Sequence, residues 1–274
     1  MSKLKLWQKE WEEAEAEWET QRQCAAKKRP IQSLKVLPKM AGITAETAKY
    51  LKWKSLWWII TKDHQGEIKR GIKKRPFFYL KELVHSLLKK QSFEREGDFF
   101  FYGVSNLKEF EQQLQNPAAI LVLGFSYCHK PFECPSGRFN DQCQNAPDHF
   151  ACQQCFIGKS LQASKAGNVI PLLIPTVHYI GGKIFDVVHR YPDRPILFII
   201  TACEMTLKMF GDLGNMVKIK GIGVRLDGRI CNTMQAFALS ERGIKPGLTV
   251  VLPETQKKIL QLIRQRVEVV SKSC

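Results

Sequence analysis

Cysteine is the residue type whose number and placement in this sequence most suggest chemistry. Two of the nine cysteines, Cys24 and Cys274, lie far from the rest. The other seven all lie beyond residue 120, and they are Cys128, Cys134, Cys143, Cys152, Cys155, Cys203 and Cys231. The N-terminus is rich in Glu and has no apolar segment typical of a secretory signal, so we expect a reducing, cytoplasmic compartment and free thiols.

Five of these cysteines fall in residues 126–155, a stretch with no periodic apolar pattern. A structureless loop of this length is uncommon inside a compact domain. Metal ligation explains such a loop, because metal–ligand bonds replace the missing apolar core. The spacing is not specific, since Cys152 and Cys155 form the sequence's one C-x-x-C pair and the other intervals match no zinc-ribbon or ferredoxin pattern.

Alternating strands and helices must position these cysteines. Five apolar, β-branched segments beyond residue 98 are typical of strands buried on both faces. They are residues 118–125, 169–175, 194–201, 217–226 and 248–252. Helical patterns separate most of them, which predicts an α/β fold with a mostly parallel, doubly wound sheet. Pro171 indicates that the second of these strands lies at an edge, as a 2-1-3-4 strand order requires.

This layout predicts where three of the cysteines lie. Cys128, Cys203 and Cys231 each follow the end of a different predicted strand. Because the carboxyl ends of parallel strands share one edge of a sheet, we expect these three side chains to meet there. Thr201 and Glu204 also form a capping-box pattern, which predicts that Cys203 lies in the first turn of a helix and has a lowered pKa.

We therefore predict a metal site that draws its ligands from the seven cysteines beyond residue 120. His129 and His149 lie in the same loop and have no assigned role. All-cysteine ligation suits iron–sulfur or zinc. An iron–sulfur cluster is favoured, because the candidates exceed the four ligands of one structural zinc, and zinc is the alternative.

A redox-linked role is one option for the metal centre, and other functions stay open beside it. The cysteines could instead form a structural zinc module or be inert buried thiols. In a third alternative the protein is an enzyme with a reactive thiol, which is Cys203 or one of the Cys152–Cys155 pair. The sequence has no G-x-G-x-x-G, Walker A or G-x-S-x-G motif. Dinucleotide-binding, P-loop and serine-hydrolase functions are therefore disfavoured.

Four motifs, in this order along the chain, resemble those of the family called domain of unknown function 116. They are LVLGFSYCHKPFECP, CQQCFIGKSLQ, IITACEMTL and GVRLDGRICNT, and they cover roughly residues 118–240. The resemblance does not place Cys143, and it limits the predicted metal ligands to the six cysteines that match the family's positions: Cys128, Cys134, Cys152, Cys155, Cys203 and Cys231. It implies a metal-type cysteine site and names no reaction. Family members often begin with membrane-spanning helices, where this chain has a basic, aromatic segment.

Charge divides the N-terminal part of the chain from the remainder. Of the formal net charge of +16, residues 1–20 carry −3 and residues 21–90 carry +14. We expect three parts, namely an amphipathic Trp/Glu helix at residues 1–22, a basic helical region at 23–97 and an α/β cysteine-site domain at 98–274.

The basic segment at residues 21–90 predicts a partner. Its cations alternate with apolar clusters such as SLWWII and RPFFYL, which suit an anionic membrane surface or another acidic partner. Nucleic acid is less expected, because these aromatic residues are not spaced as a stacking platform. A solvated helical face is the plainer interpretation. No apolar run reaches the length of a membrane span, so we expect no transmembrane helix and at most peripheral attachment.

Overall fold

The computed structural model describes residues 53–88, 92–165, 168–231, 233–245 and 247–273. The helix predicted at residues 1–22 and the first part of the basic region lie outside these ranges. The α/β prediction is confirmed, because a mostly parallel sheet of six strands has helices packed on both faces.

The strands are β1 (Glu94–Glu96), β2 (Phe99–Tyr102), β3 (Ile120–Ser126), β4 (Val169–Ile174), β5 (Ile196–Ala202), β6 (Lys220–Arg225), β7 (Asp227–Gly228) and β8 (Thr249–Val250). The main sheet has the order β1-β2-β6-β5-β3-β4. Its last four strands in this order are parallel, whereas β2 is antiparallel to β6 and β1 to β2. β7 and β8 form a separate antiparallel pair.

The order of the four parallel strands is the predicted 2-1-3-4 order. Pro171 lies in β4, at the edge of the sheet and opposite Leu123, where its missing N–H disturbs no further strand. The prediction for residues 248–252 is wrong in part, because only Thr249–Val250 is a strand and it lies outside the main sheet. The free edge of β6 is already occupied by β2, so a fifth parallel strand has no place beside it.

The helices are α1 (Trp53–Thr61), α2 (Glu67–Lys73), α3 (Pro76–Leu88), α4 (Leu107–Leu114), α5 (Phe150–Gln154), α6 (Phe156–Ala163), α7 (Val177–Arg190), α8 (Glu204–Met216), α9 (Met234–Ser240) and α10 (Pro253–Ser273). Two apolar layers flank the sheet. On one face α7 and α8 cover the strands, and on the other face α4, α6 and α10 cover them.

The basic helices α1–α3 pack on α7 and α8, and their apolar residues join the same core. Tyr79 of α3 shares a hydrogen bond of 3.0 Å with His189 Nε2, and Ser86 donates to Asp212 at 2.8 Å. The predicted boundary between residues 97 and 98 falls in the turn of the β1–β2 hairpin. Helices α1–α3 are therefore a third layer on the α/β fold.

Candidate metal centre

Three cysteines meet at the carboxyl edge of the parallel strands, and we call Cys128, Cys203 and Cys231 the edge cysteines. Cys128 lies in a 3₁₀ turn directly after β3, Cys203 directly follows β5, and Cys231 follows β6 and β7. The edge cysteines line one cavity of about 50 Å³. They lie together because β3, β5 and β6 are neighbours in the sheet.

A buried lysine shares this cavity. Lys245 lies beyond α9, is 3% exposed, and donates from Nζ to Cys231 Sγ at 3.1 Å. Burial lowers the pKa of the Lys245 ammonium, but the attraction of the three edge sulfurs outweighs burial and raises that pKa above its usual value. The cavity thus holds a stable cation beside three potential thiolates.

Burial has the opposite consequence for the thiols themselves. It raises the pKa of Cys128, and it raises the pKa of Cys203 to about 12. Thr206 Oγ1, 3.0 Å from Cys203 Sγ, lowers the Cys203 pKa by less than burial raises it. The lowered pKa predicted for Cys203 is therefore wrong, because loss of water around the sulfur outweighs its place at a helix start.

The capping-box prediction for this helix is also wrong. The N-cap of α8 is Cys203 itself, and it makes no side-chain capping hydrogen bond. Thr201 is still in β5, where its Oγ1 lies 2.9 Å from His129 Nε2. The strand ends at Ala202 and the N-cap lies two residues later than the capping-box pattern predicted, so the Thr201 hydroxyl contacts the histidine after the neighbouring strand.

The remaining four cysteines after residue 120 form a second group, and we call Cys134, Cys143, Cys152 and Cys155 the loop cysteines. They line a different cavity, of about 10 Å³, together with Lys130 and the start of α6. The structure therefore divides the six predicted ligands between two cavities and adds Cys143 to the second. Cys128 and Cys203 do not share a cavity with Cys152 and Cys155.

Burial also dominates the pKa of two loop cysteines. It raises the pKa of Cys143, and it raises the pKa of Cys155 to about 11. Cys155 is the N-cap of α6 and makes no side-chain capping hydrogen bond, although the nearby Gly158 and Ile157 N–H groups lower its pKa by less than burial raises it. The Asn145 N–H and the Lys130 ammonium act in the same way on Cys143. Loss of water around each sulfur therefore outweighs the groups that favour negative charge there.

Gly158 allows this close approach of helix and loop. A Cβ at this position would lie 2.7 Å from the carbonyl oxygen of Cys152, closer than side-chain carbons approach backbone oxygens. The segment from Cys152 to Gly158 therefore brings both sulfurs of the C-x-x-C pair to the start of one helix.

Lys130 organises the loop from its centre. Its side chain is 1% exposed, and Nζ donates to the carbonyls of Gly137, Asn140 and Gln142 and to Asn140 Oδ1, at 2.7 to 3.2 Å. Burial lowers the Lys130 pKa, and nearby loop cysteines act in the opposite direction. One ammonium group thus ties together a chain segment that has no regular secondary structure.

Arg138 connects the loop to the edge cavity. Its guanidinium donates to the carbonyls of Cys128, Lys245 and Gly247, at 3.0 to 3.3 Å, and stacks 4.4 Å above the ring of Phe132. These bonds fix the turn that carries Cys128 relative to the segment that carries Lys245.

The histidines near the cysteines have other partners. His129 lies between Thr201 and two phenylalanine rings, and burial lowers its pKa to about 3. His149 caps α5 by accepting the Ala151 N–H at Nδ1, and His178 Nε2 lies 2.8 Å from the carbonyl of Ile59. In these positions the three rings act as structural polar groups.

Sequence reasoning missed Lys130, Arg138 and Lys245. Lys130 and Arg138 lie close to cysteines in the sequence, and nothing else in the sequence indicates their role. Lys245 lies 14 residues after Cys231, and no motif connects the two. Cys143 was left unassigned because the motifs of the family resemblance do not place it, although it lies in the same loop as its three neighbours.

The described cysteines are all free thiols. Among the residues that the structure describes, no group of three or more His, Cys, Asp or Glu side chains is arranged so that it could hold a metal ion. Each group of thiols lines one cavity, so ligation requires the sulfurs to converge further than they do here. No family model, curated protein or solved structure matches this chain. The resemblance to the domain of unknown function 116 family therefore stays a prediction.

Proposed function

We propose that this chain is a metal-binding protein in which the loop cysteines hold the metal. The observation that carries the proposal is that four cysteines, spread over residues 134–155, line one cavity. Four thiolates are a complete tetrahedral ligand set for zinc or for the corners of a cluster. Metal bonds in this position stabilise a loop that has only short elements of its own.

Cavity size favours a single ion at the loop cysteines. About 10 Å³ admits roughly one water-sized sphere, whereas a cluster of several iron and sulfide atoms needs the loop to open. Zinc is therefore the metal we propose at the loop cysteines, and the iron–sulfur prediction is the alternative. The bound ion would supply structural cross-links between the loop and the start of α6.

The thiol-enzyme alternative has less support. A reactive cysteine needs a lowered pKa and access to solvent. Burial instead raises the pKa of Cys203 to about 12 and that of Cys155 to about 11. Such thiols stay protonated near neutral pH until a metal ion displaces the proton.

Metal analysis of the full-length protein tests the loop site. We expect protein purified without oxygen to carry zinc, and we expect Cys152→Ser/Cys155→Ser to lose about one equivalent. Cys24→Ser, which changes a cysteine outside both groups, should retain the wild-type content. A brown, iron-rich protein would indicate an iron–sulfur cluster at the loop cysteines in place of zinc. Unchanged metal content in the double variant would contradict the proposal.

We also propose that the helices α1–α3 dock this chain to an anionic membrane surface from the cytoplasmic side. Exposed apolar side chains recur along α3 at a spacing of three to four residues: Phe77, Leu80, Val84 and Leu88. Trp57 of α1 is 71% exposed. Residues 53–88, which comprise these helices and their connections, include eight basic and three acidic residues, and every one of the lysines and arginines is exposed.

Exposed aromatics beside exposed cations are the features of an interfacial helix. Trp58 takes no part in this surface, since it packs against His178 and Phe237. No helix in the described ranges is long and apolar enough to cross a membrane. Nucleic acid and other acidic partners are the weaker alternatives, because neither needs apolar side chains in one helical stripe. Vesicle co-sedimentation of the full-length chain tests the docking.

A further inference from the structure

The edge cavity has features that the loop site does not explain. The edge cysteines come from three separate strand ends, and their cavity is about five times the volume of the loop cavity. Metal binding at the edge cysteines does not require metal at the loop cysteines.

Charge is the first of these features. The Lys245 ammonium is almost fully buried, and among the described residues its one hydrogen-bond partner is the Cys231 sulfur. A buried ammonium with no anion beside it is costly. Glu241 lines the same cavity, and burial raises its pKa to about 8, so its carboxyl group is mostly neutral near pH 7. Three thiolates and one ammonium then leave two negative charges, which one divalent metal ion neutralises. The buried groups therefore match a divalent ion in charge as well as in ligand type.

An unsatisfied hydroxyl is the second feature. Thr249 of β8 lines the same cavity, is 1% exposed, and its Oγ1 has no hydrogen-bond partner among the described residues. Buried polar atoms are nearly always hydrogen-bonded, so an unpaired one indicates a missing ligand or water. The cavity volume, several times that of one water-sized sphere, leaves room for an ion and a small ligand beside it.

We infer that Cys128, Cys203 and Cys231 converge on a divalent thiophilic ion and so form a second metal site, separate from the loop site, which keeps one coordination position for an oxygen ligand such as water. Lys245 is the positioning and charge-balancing group, and the Thr249 hydroxyl is the hydrogen-bond partner of that oxygen ligand. Three protein ligands with one open position are the arrangement of catalytic zinc sites, whereas structural sites are closed. The edge site is thus the place where this chain would meet a small substrate.

Cobalt titration of the full-length protein tests the site, because Co²⁺ replaces zinc and absorbs visibly when thiolates bind it. In Cys152→Ser/Cys155→Ser, which removes the loop site, we expect about one equivalent of Co²⁺ with thiolate-to-cobalt absorption. Adding Cys128→Ser/Cys231→Ser should abolish that absorption. Azide should change the cobalt spectrum of the edge site by occupying its free position. Absorption that survives loss of the edge cysteines, or is absent while they are intact, overturns the inference.

Two further variants separate the electrostatic role from a structural one. Lys245→Met should keep the wild-type melting temperature within a few degrees and lower the Co²⁺ affinity at least tenfold, whereas Lys159→Met, an exposed lysine on α6, should change neither. If the loop variants do not fold, Cys128→Ser/Cys231→Ser in an otherwise wild-type chain should bind one equivalent less than wild type. If Cys128→Ser/Cys231→Ser binds as many equivalents of metal as wild type, the edge site is contradicted. If metal is lost only from the loop variants, the edge site is likewise contradicted and the loop site is supported.

Discussion

Two buried lysines near the cysteines differ in what surrounds them. Lys130 Nζ has four oxygen acceptors, three of them backbone carbonyls, so its charge is fully solvated by the protein. Lys245 Nζ has one sulfur. The hydrogen bonds of Lys130 hold the loop together. The ammonium of Lys245 has few partners within the protein, so it can interact with a bound group. Residue type alone does not separate these roles, because both are lysines within the cysteine-rich half of the chain.

We predict that Lys130→Met destabilises the protein by about 2–4 kcal/mol, because the loop loses the buried ammonium that joins Gly137, Asn140 and Gln142. The free energy of unfolding from urea denaturation measures this loss. Hydrogen exchange should become faster in residues 131–145, where the loop depends on this ammonium, before it does so in β3 or β5. Lys159→Met is the matched control, since that side chain is exposed. Equal stability of the two variants would show that the loop does not need the buried charge.

At the scale of elements, the apolar pattern of the sequence was sufficient to predict the order and direction of the parallel strands. It was insufficient to predict which cysteines lie together. The four parallel strands are long apolar runs, and a single Pro171 identified the edge, so both order and direction followed. The β1–β2 hairpin lies across a predicted boundary because short antiparallel strands leave little periodic signal. Division of the cysteines into two groups depends on how residues 130–145 fold, and hydrogen bonds from Lys130 and Arg138 decide that fold.

Packing between α2 and α7 gives a prediction at this scale. Ala is favoured over Gly inside a helix by about 1 kcal/mol, so Gly71→Ala would stabilise an isolated α2. A Cβ at Gly71, however, would lie 2.2 Å from the ring of Phe185 on α7. We predict a net destabilisation of about 1–2 kcal/mol, measured by urea denaturation, because an aromatic ring inside a core cannot move aside cheaply.

Phe185→Leu supplies the control for Gly71→Ala. In the double variant the smaller side chain gives the new methyl group space, so the two changes should cost less together than the sum of their separate costs. Additive costs would show that α2 and α7 are not held at the spacing described. The same packing means that α1–α3 cannot be deleted without exposing Ile68, Tyr79 and their partners in the core.

At the scale of the whole molecule, charge and exposed apolar surface coincide on one side of the sheet. Helices α1–α3 lie on the face covered by α7 and α8, and α10 lies on the opposite face. Because α1–α3 belong to the core, membrane docking must be tested by surface substitutions in the full-length chain.

We predict that reversing three exposed charges, in Lys73→Glu/Lys74→Glu/Arg75→Glu, lowers affinity for vesicles containing anionic lipid by about 100-fold or more at low salt. Each cation near such a surface contributes about 1 kcal/mol, and 1.4 kcal/mol is a factor of ten. Phe77→Ser/Leu88→Ser should weaken binding at all salt concentrations, because apolar insertion is not screened. Co-sedimentation with vesicles at low and high salt measures both effects.

The matched control reverses the same number of exposed charges on the opposite face of the sheet, in Lys257→Glu/Arg264→Glu/Lys272→Glu on α10. Net charge changes equally in the two triple variants, so a general electrostatic attraction would weaken both alike. At physiological ionic strength, docking through α1–α3 instead predicts a large loss for the first and a small loss for the second. An α10 cation lies on the face away from the bilayer, and interactions beyond a Debye length of about 8 Å are largely screened under these conditions. The docking proposal would be contradicted if both triple variants lost the same affinity, or if the wild-type protein bound neutral vesicles as well as anionic ones. The basic helices would then be a solvated face.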